Sequence, residues 1–91
     1  MYSSARIRVK GVVQGVGFRY FAYNMAQRLG LKGYVRNMPD GSVETEVEGR
    51  TEDIREYIKA LNRGPAFAHV TALDVEWGRY EGKYDSFRIT Y

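Results

Sequence analysis

The sequence contains no cysteine, only two prolines and a single histidine among its 91 residues. Without cysteine the chain can form no disulfide and offers neither a thiolate metal ligand nor a thiol nucleophile, which excludes cysteine-dependent phosphatase chemistry. It also has no apolar run near the ~20 residues that a membrane-spanning helix needs, and no signal-like segment at its start. We therefore expect a cytoplasmic protein that does not associate with membranes.

The excess of basic over acidic residues is also small. Fourteen basic residues against eleven acidic ones give a net charge of +3, which suits an anionic partner but is too small an excess for a nucleic-acid-binding tail. The length and the 44% apolar composition suit one compact domain with a single core, so we predict one domain over residues 1–91.

Hydrophobic periodicity predicts five strands and two helices in the order β-α-β-β-α-β-β. The predicted strands cover residues 5–13, 31–38, 43–47, 69–77 and 86–91. The predicted helices run from Phe18 to a stop at Gly30, and from Thr51, as N-cap, to a break at Gly64-Pro65. This order matches ferredoxin-like folds with one added C-terminal strand, which predicts an α+β open sandwich with an antiparallel sheet and two helices on one face.

The two faces of the predicted sheet differ in composition. The residues of the last two strands that are predicted to face the core are Leu73, Val75, Trp77, Phe87, Ile89 and Tyr91. On the open face, the first and third strands are neighbours in this topology, which sets a basic row opposite an acidic row: Arg6, Arg8 and Lys10 against Glu44, Glu46 and Glu48. Sheets that bind RNA expose aromatic side chains there instead, so we expect no nucleic-acid partner.

The segment from Gln14 to Arg19, between the first strand and the first helix, is typical of an anion-binding loop. Glycines at 15 and 17 allow a tight turn, and the free N–H groups at a helix N-terminus attract an anion. This helix has no capping side chain, and Arg19 in its first turn costs roughly 0.3–1 kcal/mol unless an anion compensates. The residues predicted to bind a phosphate group are Gln14, Gly15, Val16, Gly17, Phe18 and Arg19.

A nucleotide is not expected in this loop, because neither the Lys-Ser/Thr ending of a P-loop nor the third glycine of a dinucleotide fingerprint follows. Tyr20 and Tyr23 lie on the polar side of the first helix. They could line a cleft, but ordinary partly buried tyrosines are the simpler interpretation.

Asn37 is predicted at the same edge of the sheet as the loop. The first and second strands run in the same direction with one strand between them, so their ends lie roughly 10 Å apart at ~4.8 Å per strand step. Taken alone, Asn37 is a hairpin residue before the turn Pro39-Asp40-Gly41, and Ser42 is more simply a turn residue than a catalytic one. The shared edge with the loop favours a functional role for Asn37.

Residues 11–19 (GVVQGVGFR) and 33–44 (GYVRNMPDGSVE) resemble the two signature segments of the acylphosphatases, and the resemblance extends over the whole chain. It implies a ferredoxin-like open sandwich that hydrolyses carboxyl phosphates without a metal or other cofactor. It also implies that Arg19 binds phosphate, that Asn37 orients water and that residues 14–18 form the phosphate loop. Relatives often have threonine where this chain has Ser42, which makes Ser42 a candidate supporting hydroxyl.

The side chains predicted to lie near the 14–19 loop limit the reactions that this site can catalyse. No cysteine, carboxylate or histidine is placed as acid or nucleophile, and the isolated His69 is interpreted as structural or solvated. An acyl phosphate expels a carboxylate whose conjugate acid has a pKa of roughly 4, so it needs no proton donor. We predict a monomeric hydrolase of small-molecule acyl phosphates. A non-catalytic phosphate-binding or anion-binding module is the alternative, and an RNA-binding domain is a weaker one.

Overall fold

The computed structural model describes residues 1–91 and contains the seven predicted elements in the predicted order. The strands are β1 (Tyr2–Val12), β2 (Lys32–Asn37), β3 (Val43–Arg50), β4 (His69–Arg79) and β5 (Phe87–Thr90), and the helices are α1 (Phe18–Arg28) and α2 (Thr51–Arg63). The two helices contact each other and pack on the sheet, which confirms the predicted α+β open sandwich. Neither helix has the length and apolar character required to cross a bilayer.

The sheet is mixed rather than wholly antiparallel as predicted. Its strand order is β4-β1-β3-β2-β5, and every neighbouring pair is antiparallel except β2 and β5. The reason lies in the last connection. β4 ends beside Ser3, at the start of β1, and β5 begins beside Gly33, near the start of β2. Because β5 begins at the end of the sheet where β4 ends, which is also where β1 and β2 begin, β5 is parallel to β1 and β2.

The core lies between the sheet and the helices. α1 contributes Phe18, Ala22 and Ala26, and its apolar spacing of three and four residues follows from the helical repeat. The rest of the core consists of residues from the strands and from α2, which include Ile7, Val9, Val35, Val43, Val47, Ile54, Tyr57 and Leu61. Inside this core the Tyr57 hydroxyl and the Thr45 hydroxyl are 2.7 Å apart, so that each polar group has a partner.

Three predicted placements differ in the structure. Trp77 is 43% exposed because β4 is an edge strand, and the Arg55 guanidinium lies over its ring at 5.4 Å. Tyr91 follows the end of β5 and is 93% exposed rather than in the core. Thr51 is not an N-cap but the first helical residue: Arg50 is the cap, and the Thr51 hydroxyl hydrogen bonds to Ser3 and donates to the Met1 carbonyl.

The open face carries the predicted pairing of charges. Arg6 lies opposite Glu46 and Arg8 opposite Glu44, whereas Lys10 forms its salt bridge with Asp74 of β4 at 3.2 Å. Glu44, Glu46 and Glu48 are all buried, which carboxylates tolerate only when they are paired or hydrogen bonded. Their partners are arginine and tyrosine side chains and the backbone of the segment 80–86, which joins β4 to β5.

Candidate active site

A cavity of about 220 Å³ lies where β1 gives way to α1. It combines residues from the 14–19 loop, from the first turn of α1, from the end of β2 and from β5 and its end. The lining residues are Val13, Gly15, Gly17, Phe18, Arg19, Tyr20, Asn37, Ile89 and Tyr91. The two residues that the sequence singled out for chemistry, Arg19 and Asn37, therefore face one space.

The backbone of the 14–19 loop turns as its glycines predict. Gly15 and Gly17 have φ of 75° and 78°, in the left-handed region that side chains disfavour, and a Cβ at either position would meet open space rather than another atom. Gly17 is the N-cap of α1, with no side-chain hydrogen bond and no acidic residue in the first turn. Phe18 is buried and anchors the loop in the core.

The amides of this loop are free of internal partners. None of the backbone N–H groups of residues 15–20 donates to a carbonyl or side chain of the protein, whereas Phe21 N–H donates to the Gly17 carbonyl at 3.0 Å. Together with the positive end of the α1 dipole, these amides form a cradle for negative charge. The predicted absence of a cap is thus confirmed. The helix α2 also lacks a capping side chain, but it has Glu52 and Asp53 in its first turn, and its Thr51 N–H donates to the Met1 carbonyl at 3.0 Å.

Arg19 is the single charged residue of the cavity lining and makes no salt bridge. Its guanidinium instead lies over the Tyr91 ring, 4.8 Å from the ring centroid, a cation–π contact that leaves the N–H groups at its edge available. The planar donor fork of arginine matches the oxygens of a phosphoryl group in a way that the ammonium group of lysine cannot.

Asn37 is the last residue of β2 and pairs with Val43 of β3. Its side-chain oxygen Oδ1 is buried and has no hydrogen-bond partner in the protein. An unpaired buried polar atom costs about 1–3 kcal/mol, and of the two in this chain, Asn37 Oδ1 and Arg8 Nε, only the first belongs to a residue that lines this cavity.

Gln14 contacts the hairpin rather than the cavity, in contrast to the phosphate-binding role predicted for it. Its side-chain amide Nε2 donates to the Met38 carbonyl at 2.8 Å and to the Ser42 carbonyl at 2.9 Å. These two bonds occupy both N–H groups of the amide, so the side chain has no donor left for a ligand. Gln14 instead joins the loop to the turn that follows Asn37. Val16 also lies outside the cavity lining.

Ser42 is buried in the turn between β2 and β3. Its hydroxyl and its backbone N–H both donate to Asp40 Oδ1, at 2.6 and 2.9 Å. These bonds, together with the nearby Arg8 guanidinium, hold the pKa of Asp40 below its ordinary value. Ser42 does not line the cavity, which supports the interpretation of it as a turn residue.

Sequence reasoning missed Tyr91 and Ile89 as site residues and preferred an ordinary role for Tyr20. The alternation of Phe87, Ile89 and Tyr91 predicted a core position for all three residues, whereas the parallel pairing of β5 with β2 carries the exposed Tyr91 to the end of the sheet where the loop lies. Tyr20 is 65% exposed and lines the cavity, while Tyr23 is half-buried and packs against Phe87.

No histidine or carboxylate lines the cavity, and His69 lies outside it at the start of β4. Nowhere in the chain do three or more histidine, aspartate or glutamate side chains gather so as to hold a metal ion. The cavity therefore offers hydrogen-bond donors, one cation and the side-chain amide of Asn37. Such a set can bind and polarise a phosphoryl group and can orient a water molecule, but it contains no histidine or carboxylate to transfer a proton to a leaving group.

Comparison with known proteins gives a consistent result. A family model described as acylphosphatase matches residues 5–89. An acylphosphatase of Thermotoga maritima is 49% identical over 86 residues, which cover 94% of each chain. The crystal structure of acylphosphatase from Bacillus subtilis has a TM-score of 0.94 at 38% identity and covers both chains completely. Full-length HypF in its phosphate- and nucleotide-bound form matches the whole of this chain with 12% of its own length, at 31% identity and a TM-score of 0.88.

Proposed function

The chain belongs to the acylphosphatase family and hydrolyses acyl phosphates, and from this premise we propose that the reaction takes place in the cavity at the 14–19 loop. The phosphoryl group lies in the cradle, where the backbone N–H groups of residues 15–19 and the Arg19 guanidinium donate to its oxygens. These donors are fixed in place before the substrate arrives, so little reorganisation is needed as charge develops on the phosphoryl oxygens.

One observation above all supports a catalytic rather than a purely binding role: Asn37, whose side-chain oxygen has no partner in the protein, lines the same cavity as Arg19. The Asn37 amide suits a water molecule, because its oxygen accepts a hydrogen bond from water and its Nδ2 group can donate one. In our proposal Asn37 holds that water in line with the phosphorus atom and the leaving oxygen. Positioning of this kind supplies much of the acceleration in phosphoryl transfer.

The bonds and protons of the step balance without further reagents. The water oxygen forms a bond to phosphorus while the bond from phosphorus to the acyl oxygen breaks, and the electron pair leaves with the carboxylate. The products are a carboxylate and inorganic phosphate, and the proton lost by the water passes to a phosphate oxygen. Because the conjugate acid of the leaving carboxylate has a pKa of roughly 4, no general acid has to protonate it.

Two residues outside the cavity complete the arrangement. Gln14 joins the cradle to the Met38 and Ser42 carbonyls and so sets the position of the loop relative to Asn37. Ser42 closes the same turn through Asp40 and has no direct part in the reaction. We also propose that the chain acts as a single monomeric domain on small-molecule acyl phosphates, since one chain supplies every residue of the cavity. The cytoplasmic location stays a prediction.

The proposal is tested with Arg19→Gln and Asn37→Ala, assayed on benzoyl phosphate with EDTA present. Removing one preorganised donor or positioning group typically costs about 10²- to 10³-fold in rate. We expect Arg19→Gln to lose both phosphate binding and turnover. Asn37→Ala is expected to retain binding of inorganic phosphate, measured as product inhibition or by calorimetry, and to lose turnover by about that factor.

Two exposed residues of the same types provide matched controls. Asn24→Ala on α1 and Arg88→Gln on β5 change an amide and a guanidinium that do not line the cavity, and both should keep wild-type activity. Full activity in Arg19→Gln or Asn37→Ala would contradict the roles assigned here. Phosphate binding by the wild type without turnover above spontaneous hydrolysis would favour a non-catalytic phosphate-binding module instead.

A further inference from the structure

The cavity has an aromatic rim, formed by Tyr20 and Tyr91, to which the proposed reaction assigns no role. Tyr20 and Tyr91 are 65% and 93% exposed, and both line the cavity with Ile89 and Arg19. A single exposed aromatic residue is common on protein surfaces, but here two rings border one cavity beside its only cation. Exposed aromatic rings at the mouth of a binding site are typically covered when a ligand binds.

A row of aromatic contacts connects Tyr20 to the core. Its ring stacks on Tyr23, with centroids 6.2 Å apart and 17° between the planes. Tyr23 in turn lies 6.1 Å from Phe87, and Phe87 lies 6.3 Å from Tyr57, which is fully buried. This row of four rings supports Tyr20 from behind, so a ligand that packs on its free side does not have to order a mobile side chain first.

Tyr91 is placed by a second contact. Its ring lies under the Arg19 guanidinium at 4.8 Å, and Tyr20 follows Arg19 directly in the chain. In an acyl phosphate the acyl carbon is separated from phosphorus by one oxygen atom. When the phosphoryl group contacts Arg19, the acyl group therefore lies in the cavity that Tyr20 and Tyr91 line.

We propose that Tyr20, together with Ile89 and Tyr91, forms a subsite for the acyl group, and that the enzyme favours aromatic and extended apolar acyl phosphates over acetyl phosphate. This inference rests on the proposed function, because it requires the phosphoryl group to occupy the cradle. Packing of an apolar acyl group on these side chains removes apolar surface from water, and a flat ring gains stacking contacts in addition.

The charge of the cavity lining also favours apolar acyl groups. Arg19 is its only cation and is already engaged by the phosphoryl group, so the cavity has no second cation for an acyl group that carries its own carboxylate or phosphate. A charged acyl group next to Tyr20 and Ile89 would find no cation to pair with. The subsite thus favours neutral, apolar acyl groups.

The test compares kcat/KM for acetyl, hexanoyl and benzoyl phosphate, each divided by its own rate of spontaneous hydrolysis so that leaving-group reactivity cancels. We expect the benzoyl to acetyl ratio of the wild type to be about 10 or more. Tyr20→Ala should lower this ratio about fivefold to tenfold, and Tyr20→Phe, which keeps the ring, should preserve it. Circular dichroism shows whether the variants are folded.

A matched control is Tyr80→Ala, since Tyr80 is also exposed and in contact with another tyrosine ring but lies away from the cavity. It should leave the ratio unchanged. A wild-type ratio near one, a ratio unaffected by Tyr20→Ala, or an equal loss for all three substrates would overturn the subsite while leaving the proposed function intact. Failure of the wild type to hydrolyse any of the three would overturn the proposed function itself.

Discussion

A single amide side chain connects the two halves of the site. Gln14 belongs to the loop that forms the cradle, and its Nε2 holds the carbonyls of Met38 and Ser42, on either side of the turn that follows Asn37. Hydrogen bonds of 2.8 and 2.9 Å to two separate carbonyls fix both the distance and the orientation of the loop relative to β2. Gln14 is thus a positioning residue that acts through Asn37 and the loop.

Loss of this connection should affect turnover more than binding. In Gln14→Leu the loop keeps its amides but is no longer held against the hairpin, and displacements of about 1 Å between reacting groups can cost about 10²-fold in rate. We expect kcat for acyl phosphate hydrolysis to fall about 10- to 100-fold with a smaller change in KM. Stability should fall by about 1 kcal/mol, because the Met38 and Ser42 carbonyls each lose one donor but keep a second, the N–H groups of Gly41 and Met38 respectively.

Steady-state kinetics and urea denaturation measure the two effects. Gln27→Leu, on the exposed side of α1, is the matched control and should change neither quantity much. If Gln14→Leu raised KM and left kcat unchanged, Gln14 would contribute to phosphate binding, as its place in the loop sequence first suggested.

At the scale of the elements, the segment 80–86 determines where β5 lies. It leads from β4, at one edge of the sheet, to β5 at the other, and Glu48 of β3 holds it against the open face. Glu48 Oε2 accepts from Glu81 N–H at 2.7 Å and Oε1 accepts from Lys83 N–H at 2.9 Å. Glu48 forms no salt bridge, so these two amides are what compensates for its burial.

Glu48→Gln should loosen this segment, because the amide keeps one acceptor oxygen and replaces the other with a donor that faces an N–H group. Hydrogen bonds to charged groups contribute about 1.5–3 kcal/mol each, so we expect the free energy of unfolding to fall by about 2 kcal/mol. Hydrogen exchange at the Glu81 and Lys83 amides should accelerate. Glu76→Gln, an exposed residue on the same face, is the control. Unchanged exchange at both amides would contradict this role for Glu48.

At the scale of the whole molecule, the charged open face makes stability depend on pH. Burial alone raises the pKa of Glu44, but hydrogen bonds from Tyr34, Arg36 and Arg8 outweigh it and leave the pKa below the ordinary value of 4.5. The same network acts on its donor, since burial and then the bond to Glu44 raise the pKa of Tyr34 to about 12. Both shifts favour the folded state near neutral pH.

Acid should therefore weaken the fold in a defined range. Because the pKa of Glu44 is lower in the folded state, the unfolded state binds more protons, and the stabilisation present above pH 4.5 is lost as the pH falls through the folded-state pKa. Asp40 shifts in the same direction. We expect the free energy of unfolding to be nearly constant from neutral pH down to the ordinary value and then to fall.

Urea denaturation at a series of pH values measures this dependence. Glu44→Gln should lower stability at neutral pH by about 1–3 kcal/mol and should flatten the decline in acid. Glu76→Gln should leave the pH dependence as it is in the wild type. A decline equally steep in Glu44→Gln would show that other carboxylates account for it.

Much of this protein is determined by local sequence. Periodicity predicts all seven elements, because the helical and strand repeats depend only on neighbouring residues. The glycines of the 14–19 loop, the missing cap and Arg19 indicate an anion site, and the direction of β1 and β2 brings Asn37 to it. The resemblance of residues 11–19 and 33–44 to one family predicted the family and the fold, and both are confirmed.

Tertiary structure alone decided the rest. The parallel pairing of β5 with β2, the contact of Arg19 with the Tyr91 ring and the bonds of Gln14 to the hairpin all join residues that are far apart in the chain. Such contacts depend on strand order and on how each connection crosses the sheet, and no local pattern encodes them. The sequence therefore indicated the family and the proposed phosphate loop, whereas the tertiary structure determined the aromatic residues that surround this loop.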